Sequence, residues 1–537
     1  VAQKLESKEE RPLQSFTFKN FLAVNTTNAR LAIPDSTFYN LENAQPIGFG
    51  NLHSINDISA ALHDYAADTI YTDENVNLLI AAVNTEFLIQ GSTNGKLFAY
   101  NVPANTATQI NGAAVLSGGS SLGMAQWNNT NCLVIDSTGY YQWPGSGNIV
   151  SIGGVTGAPT SGNAIAVYQN RVWIAQGRVL FFSAPGSFTD FTTASGGGST
   201  SLIDPTVRSS VTALFAANGY LYVWGTSSIN AISDLYIPAG ASPPTPNFTN
   251  LNISAVVGTD QPQSIQTYGR LILFANRYGV WRLYGTSVDT ISGEDPNNQY
   301  QSAIDGTWQY VNFGQAVSGG QVITNNLLCS CFLIKRNADP IFGSNTVIMV
   351  YQGNAAGGKW WSANWGALTR VTTAFVNQAP ALFGYLGNKL YQLFAISTSS
   401  PPANIQTQLW DFGDPITAKE LLRGGIGVTI LNAAGNALSM TVDTPSGSKP
   451  FTSLTVAGVV QWVNNLNAVV TWQNNVAQTV VWAPGQFQTY WGAAPNAFSK
   501  YVGYTVTTAQ GTQFEINSFL MDYKWAARWV TGSAGGG

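Results

Sequence analysis

Two histidines, three cysteines and a thin scatter of carboxylates are the side chains with which this 537-residue chain could do acid–base, nucleophilic or metal chemistry. His53 and His63 stand ten residues apart in one segment, which is no ligand spacing. His63 beside Asp64 offers an acid–base pair. No Gly-x-Ser-x-Gly elbow and no cysteine with an electropositive neighbour supplies a nucleophile for it. Cys132, Cys329 and Cys331 cannot staple so long a chain, and Cys-Ser-Cys lacks the second pair that a zinc site needs. They read as small apolar strand residues. Glycoside hydrolysis needs two facing carboxylates. Glu294, Asp295 and Asp305 are candidates, yet Gly-Glu-Asp-Pro-Asn-Asn reads more simply as an exposed loop. No Gly-rich loop followed by Lys-Ser/Thr cradles a phosphate, and Asp136-Ser-Thr-Gly139 has too few ligands for calcium. The expectation is a protein without catalytic residues, metal or cofactor.

Three further groups could recognise rather than react. Trp462, Trp472 and Trp482 recur every ten residues with Trp491 near, either as an aromatic platform for sugars or as core packing between strands. Arg270, Arg277 and Arg282 fall within one hairpin, Tyr268 to Tyr284, and are candidates for a DNA-facing surface. Ordinary strand-edge charges explain them as well. Lys4, Lys8 and Arg11 belong to a charged arm, residues 1–14, that reads as a solvated start or as a strap onto a neighbouring subunit. That arm carries no apolar stretch, so a signal peptide is not expected there.

The elements that must position these groups are short strands. From Glu86 to Phe394 an apolar strand, a tight turn and an aromatic-rich strand return seven times. The turn glycines Gly95, Gly139, Gly177, Gly225, Gly279, Gly343 and Gly387 stand 38 to 64 residues apart. Such spacing points to an all-β chain and a β-propeller of six or seven blades over 85–414, preceded by an entering segment, 15–84. After Asp414 the texture changes, and 415–530 reads as an appended β-sandwich or β-barrel, with 531–537 a flexible tail. Charged residues make up 9% of the chain and the net charge is −4, too sparse for a Lys/Arg-rich nucleic-acid reader. No run reaches the ~18 to 20 apolar residues of a membrane-crossing helix. With 16 Trp, 22 Tyr and 26 Phe and so little charge, part of the surface is expected to face other subunits.

Three stretches together resemble the tail nozzle and packaged-DNA-stabilisation proteins of short-tailed bacteriophages. They are Leu22-Ala-Val-Asn-Thr-Thr-Asn-Ala-Arg-Leu-Ala-Ile-Pro34 with Tyr39-Asn-Leu-Glu-Asn43, then Asn170 to Phe191, and Tyr278-Gly-Val-Trp-Arg-Leu-Tyr-Gly285 with Thr290-Ile-Ser292 and Ile304-Asp-Gly306. The similarity spans most of 20–395. Leu520 to Trp529 looks like the closing strand of related tail proteins. The resemblance implies a non-catalytic virion subunit, made in the host cytoplasm and built into a closed ring, usually a hexamer. The ring would sit below the portal and adaptor proteins and pass double-stranded DNA without reading its sequence. Rival readings are a carbohydrate-binding propeller adhesin and a propeller glycosidase. This chain departs from the family in its poverty of charge.

Overall fold

All seven hairpins counted in the sequence form, and each is the middle pair of a four-stranded antiparallel blade, the blade of Leu327–Lys335 and Thr346–Asn354 being part of a larger sheet. The computed structural model describes residues 12–451 and 488–525 with interruptions at 49, 65–75, 84, 93–94, 115, 117–122, 129, 203–206, 208, 340–342, 344, 355–356, 388, 396–398 and 433–437; of 452–487 it describes 472–473 and 479–480. Blades 1 to 6 span 76–109, 123–151, 164–201, 213–254, 266–290 and 318–363. Blade 7 joins Leu368–Val376, Ala379–Leu386 and Lys389–Leu393 to a two-residue strand from far upstream, His63–Asp64.

The blades form a β-propeller because neither face of any sheet can stay wet. Middle strands such as Arg171–Gln176 and Leu271–Asn276 read as unbroken apolar runs, the pattern of a strand covered on both faces. Their side chains fill the seams between neighbours. Trp173 and Leu180 of blade 3 meet Leu221 and Val223 of blade 4, and Trp224 of blade 4 meets Phe274 of blade 5. Phe383, Tyr385 and Leu390 of blade 7 pack on Phe98 and Tyr100 of blade 1, which closes the circle.

A polar device recurs at four consecutive seams, where a tyrosine hydroxyl of one blade donates to a backbone carbonyl of the next. Tyr140 reaches Phe188 at 2.7 Å, Tyr168 reaches Gly219 at 2.7 Å, Tyr222 reaches Gly285 at 3.2 Å, and Tyr268 reaches Leu328 at 3.1 Å. Each ring fills the apolar seam while its hydroxyl, at the edge of that seam, ties it to the backbone of the next blade.

The amino-terminal segment, expected to lead into the propeller, divides. His63–Asp64 and Val76–Val83 serve as strands of the four-stranded blades. Gln14–Phe18 pairs with Gln513–Trp525, and Ala44–Ile47 with Asn51–Ser54 extends the same sheet, which also holds Lys419–Asn432 and Gln488–Ser499. Phe38–Glu42 bridges blade 6 to Asn404–Thr407, so that blade continues without a break into a second sheet containing Gly503–Thr508, Leu438–Thr444 and Gly447–Pro450. The two sheets face one another across Phe18, Phe21, Phe38, Ile405, Tyr504 and Phe519, a β-sandwich built from both ends of the chain. Arg30 clasps it, donating to the Thr407 carbonyl at 2.6 Å, the Tyr504 carbonyl at 3.0 Å and the buried Asp443 carboxylate at 2.6 Å. No helix among the described residues is long and apolar enough to cross a membrane.

Two outcomes are expected. Burial raises the Tyr222 and Tyr268 phenols to about 12 and that of Tyr140 upward as well. Unfolded phenols ionise near pH 10, so between about 10 and 12 the folded chain holds more protons and its unfolding free energy falls as pH rises. Urea midpoints taken across that window should drop, and Tyr222→Phe should cost about 1 kcal/mol at pH 8. Arg30→Ala, which strands the buried Asp443, should cost about 3 kcal/mol in the same titration.

Candidate functional site

In a propeller the first strand of each meander lies nearest the axis, where seven strands converge and side chains have least room. The sequence meets that crowding with small residues. Gly123-Met-Ala-Gln-Trp127, Ala164-Ile-Ala-Val-Tyr168 and Ser318-Gly-Gly-Gln321 are examples. A Cβ on Gly320 would sit 2.5 Å from the Leu382 side chain and 2.7 Å from that of Thr373. Across all seven first strands there is a single charged side chain, Arg370, which donates to the Ala316 carbonyl at 2.7 Å. Its burial lowers its pKa.

The turns that follow these strands share one end of the propeller and one chemistry. Asn128, Gln169-Asn170, Asn218, Asn325-Asn326 and Asn377-Gln378 all have positive φ, as does Gly269 beside Arg270. Two-residue hairpin turns whose twist matches the strands require that backbone, and Asn tolerates it best after Gly. The result is a rim of carboxamides around the axis. Asn218 Nδ2 donates to the Arg270 carbonyl at 2.8 Å, linking the rims of blades 4 and 5. The glycine turns evident in the sequence lie between second and third strands, at the opposite end, and do not mark this rim. The dipeptide Asn218-Gly219 between two apolar runs was the signal available.

The arginines singled out by sequence do not converge. Arg270 and Arg277 flank strand Leu271–Asn276, about 20 Å from end to end, so they lie at opposite ends of the blade. Arg277 is 3.4 Å from Asp260, and Arg282, on the third strand, is 3.5 Å from Asp289. Lys4, Lys8 and Arg11 lie outside the described residues, as do Trp462, Trp482 and the 531–537 tail, and of Trp472 only the strand is described. Trp491 is partly exposed beneath the Arg423 guanidinium, 4.4 Å from its ring.

The acid–base candidates are engaged locally. Asp295 accepts the Asn297 N–H at 2.9 Å, and Glu294 accepts from Asn28 at 3.5 Å. Asp305 begins the short helix Asp305–Trp308, where burial raises its pKa. Asp136 accepts the Thr138 and Gly139 N–H groups at 2.8 and 2.9 Å and so shapes the blade 2 turn. Asp64 lies 3.0 Å from Lys389 where the propeller closes. His53 sits 3.6 Å from Glu515, and burial lowers its pKa. Among the described residues no three His, Cys, Asp or Glu side chains gather where they would hold a metal ion. Glu42, raised by burial, borders a cavity of about 440 Å³ with Asp57, Trp365 and Gln510 where blade 6 meets the sandwich. Asn364 donates to Glu42 at 3.4 Å, and Asn43 donates to the Pro402 carbonyl at 2.8 Å, so the polar lining of this cavity holds the junction together.

No sequence profile of a protein family matches the chain, and no curated protein matches it. Solved structures similar to it include "Structure of U3-55K" (9% identity, 63% of this chain and 98% of that one, TM-score 0.37) and "Crystal structure of RRP9 WD40 repeats" (10%, 64% and 99%, 0.37). The computationally designed Ika8 protein is a third (11%, 70% and 100%, 0.35). The propeller assignment stands on the strand pairing and seam packing described above.

The cysteines test the packing of the blades. Burial pushes the Cys329 thiol to about 12 and those of Cys132 and Cys331 upward. The native chain at pH 8 should leave Ellman's reagent unreacted over hours, and urea should release three thiols.

Proposed function

We propose that the chain is a structural, non-catalytic virion subunit of the tail-nozzle or head-completion kind, which assembles with copies of itself into a closed ring on the path of the ejected genome. The observation that carries this reading is the character of its surface. Large apolar side chains stand exposed on a chain with little charge to keep copies apart: Val256 at 78%, Tyr278 at 73%, Ile416 at 65%, Tyr236 at 58%, Phe375 at 57% and Phe498 at 55%. A surface of this kind is suited to cover by neighbours, and cyclic closure leaves no unsatisfied copy at either end.

Scarcity of cations supports the same reading from the side of the cargo. Each Lys or Arg contact with phosphate strengthens DNA binding, so a wall that lets a duplex slide past is better neutral than basic. The resemblance over residues 20–395 supplies the remaining context: a portal and adaptor above, and DNA as passing cargo.

Negative-stain images and sedimentation of the purified protein are expected to show closed rings of several copies. A species that stays monomeric at every concentration and is missing from purified virus particles would overturn the reading. Duplex DNA added at physiological salt is expected to show no saturable binding by fluorescence anisotropy.

A further inference from the structure

A cavity of about 400 Å³ opens where the two sandwich sheets meet near their margin, a size typical of small-ligand sites. Its lining includes Phe16 and Tyr523 from one sheet, and Trp410 and Phe412 from the loop after Asn404–Thr407 of the other. Two carboxylates, Asp35 and Asp411, border it too. The rings form a connected wall. Phe16 lies 5.2 Å from Trp410 and 5.1 Å, edge-on, from Phe412, which stacks on Tyr523 at 4.5 Å.

Phe412 is held against its own preference. Its φ of +56° lies in the left-handed region, which a bulky L residue enters only when its surroundings enforce it, and such strain gathers at binding sites. The enforcing contact is visible: Asp411 accepts the Gly413 N–H at 2.8 Å, closing a turn around Phe412. Phe412 nevertheless remains half-buried rather than sealed in the core. Asp35 accepts from Gln408 at 2.7 Å, which fills one part of a carboxylate's acceptor capacity.

Charge narrows the choice of ligand. A quaternary ammonium would suit the aromatic wall, but Lys419 Nζ already lies 5.9 Å from the Phe412 ring, and Lys19 borders the same space. An anion would face Asp35 and Asp411. What fits is an uncharged molecule with a flat C–H face for the rings and hydroxyls that donate to carboxylates. We propose that this cavity binds a neutral saccharide, with a pyranose ring stacked on the Phe16–Phe412 wall and its hydroxyls donating to Asp35 and Asp411. The site does not depend on ring assembly, and it is separate from the tryptophans considered from sequence.

The test uses the full chain and defined probes: maltotriose, diacetylchitobiose, galactobiose and a rhamnose disaccharide. Saturation-transfer NMR should show at least one probe receiving magnetisation mainly through one C–H face, with a matching change in tryptophan fluorescence. Phe412→Gly removes the ring at a backbone position that glycine favours. It should therefore weaken binding about tenfold or more while circular dichroism shows the chain still folded, at a lowered thermal midpoint. Asp411→Asn, whose amide oxygen can keep the turn, should weaken it as well, and Trp491→Ala should leave it unchanged. Silence from all four probes, or binding undiminished in both cavity variants, would overturn the proposal. Should Phe412→Gly fail to fold, the wild-type transfer pattern and Asp411→Asn decide alone.

Discussion

Every blade of this protein has two apolar faces, and a sheet with two apolar faces must be covered twice. Four strands in a row cannot do this for themselves, so the only stable arrangement is one in which each sheet has a neighbour on both sides. That requirement forces a circle. It explains why Phe383 and Tyr385 of the last blade seek Phe98 and Tyr100 of the first, and why middle strands such as Arg171–Gln176 lack polar alternation. The tyrosine staples follow from it too: a ring that fills the apolar seam carries a hydroxyl, and that hydroxyl finds its acceptor on the backbone of the next blade.

Neutrality is the second theme, and it has a local cause as well as a global one. Near the axis there is no room for long solvated side chains, so Gly, Ala, Ser and Thr replace Lys and Glu. The turns that cap those strands use carboxamides because Asn accepts the left-handed backbone. Charge is kept where it binds the architecture, as in Arg30 with Asp443 and Lys389 with Asp64. Low charge also leaves little repulsion to prevent self-association, which is how the architecture connects to the proposed role.

Much of the propeller was legible because its middle hairpins carry two redundant signals, a continuous apolar run and a turn residue tolerant of positive φ. Ala175 to Leu180 around Gly177 shows both. The outer strands carry neither: Gly198–Ser201 is four small polar residues, and His63–Asp64 is too short to have a period. The sandwich was seen only in its carboxyl-terminal half, since Gln14–Phe18 finds its partner about five hundred residues away and nothing local announces such a pairing. The arginine cluster misled because closeness along a hairpin ignores strand length: residues at the two turns of one strand face opposite ends of the molecule. The aromatic cavity of the sandwich was invisible for a related reason, its wall being assembled from segments near 16, 410 and 523.

The propeller is an excursion that leaves the sandwich after Asn51–Ser54 and returns at Asn404–Thr407, so the first and last of the described strands, Gln14–Phe18 and Gln513–Trp525, lie side by side and antiparallel with Gln14 opposite Tyr523. Tension drawn through these two points acts at one end of that pair. It unzips the ladder bond by bond instead of shearing it whole, and the blades stay outside the load path until the sandwich has parted.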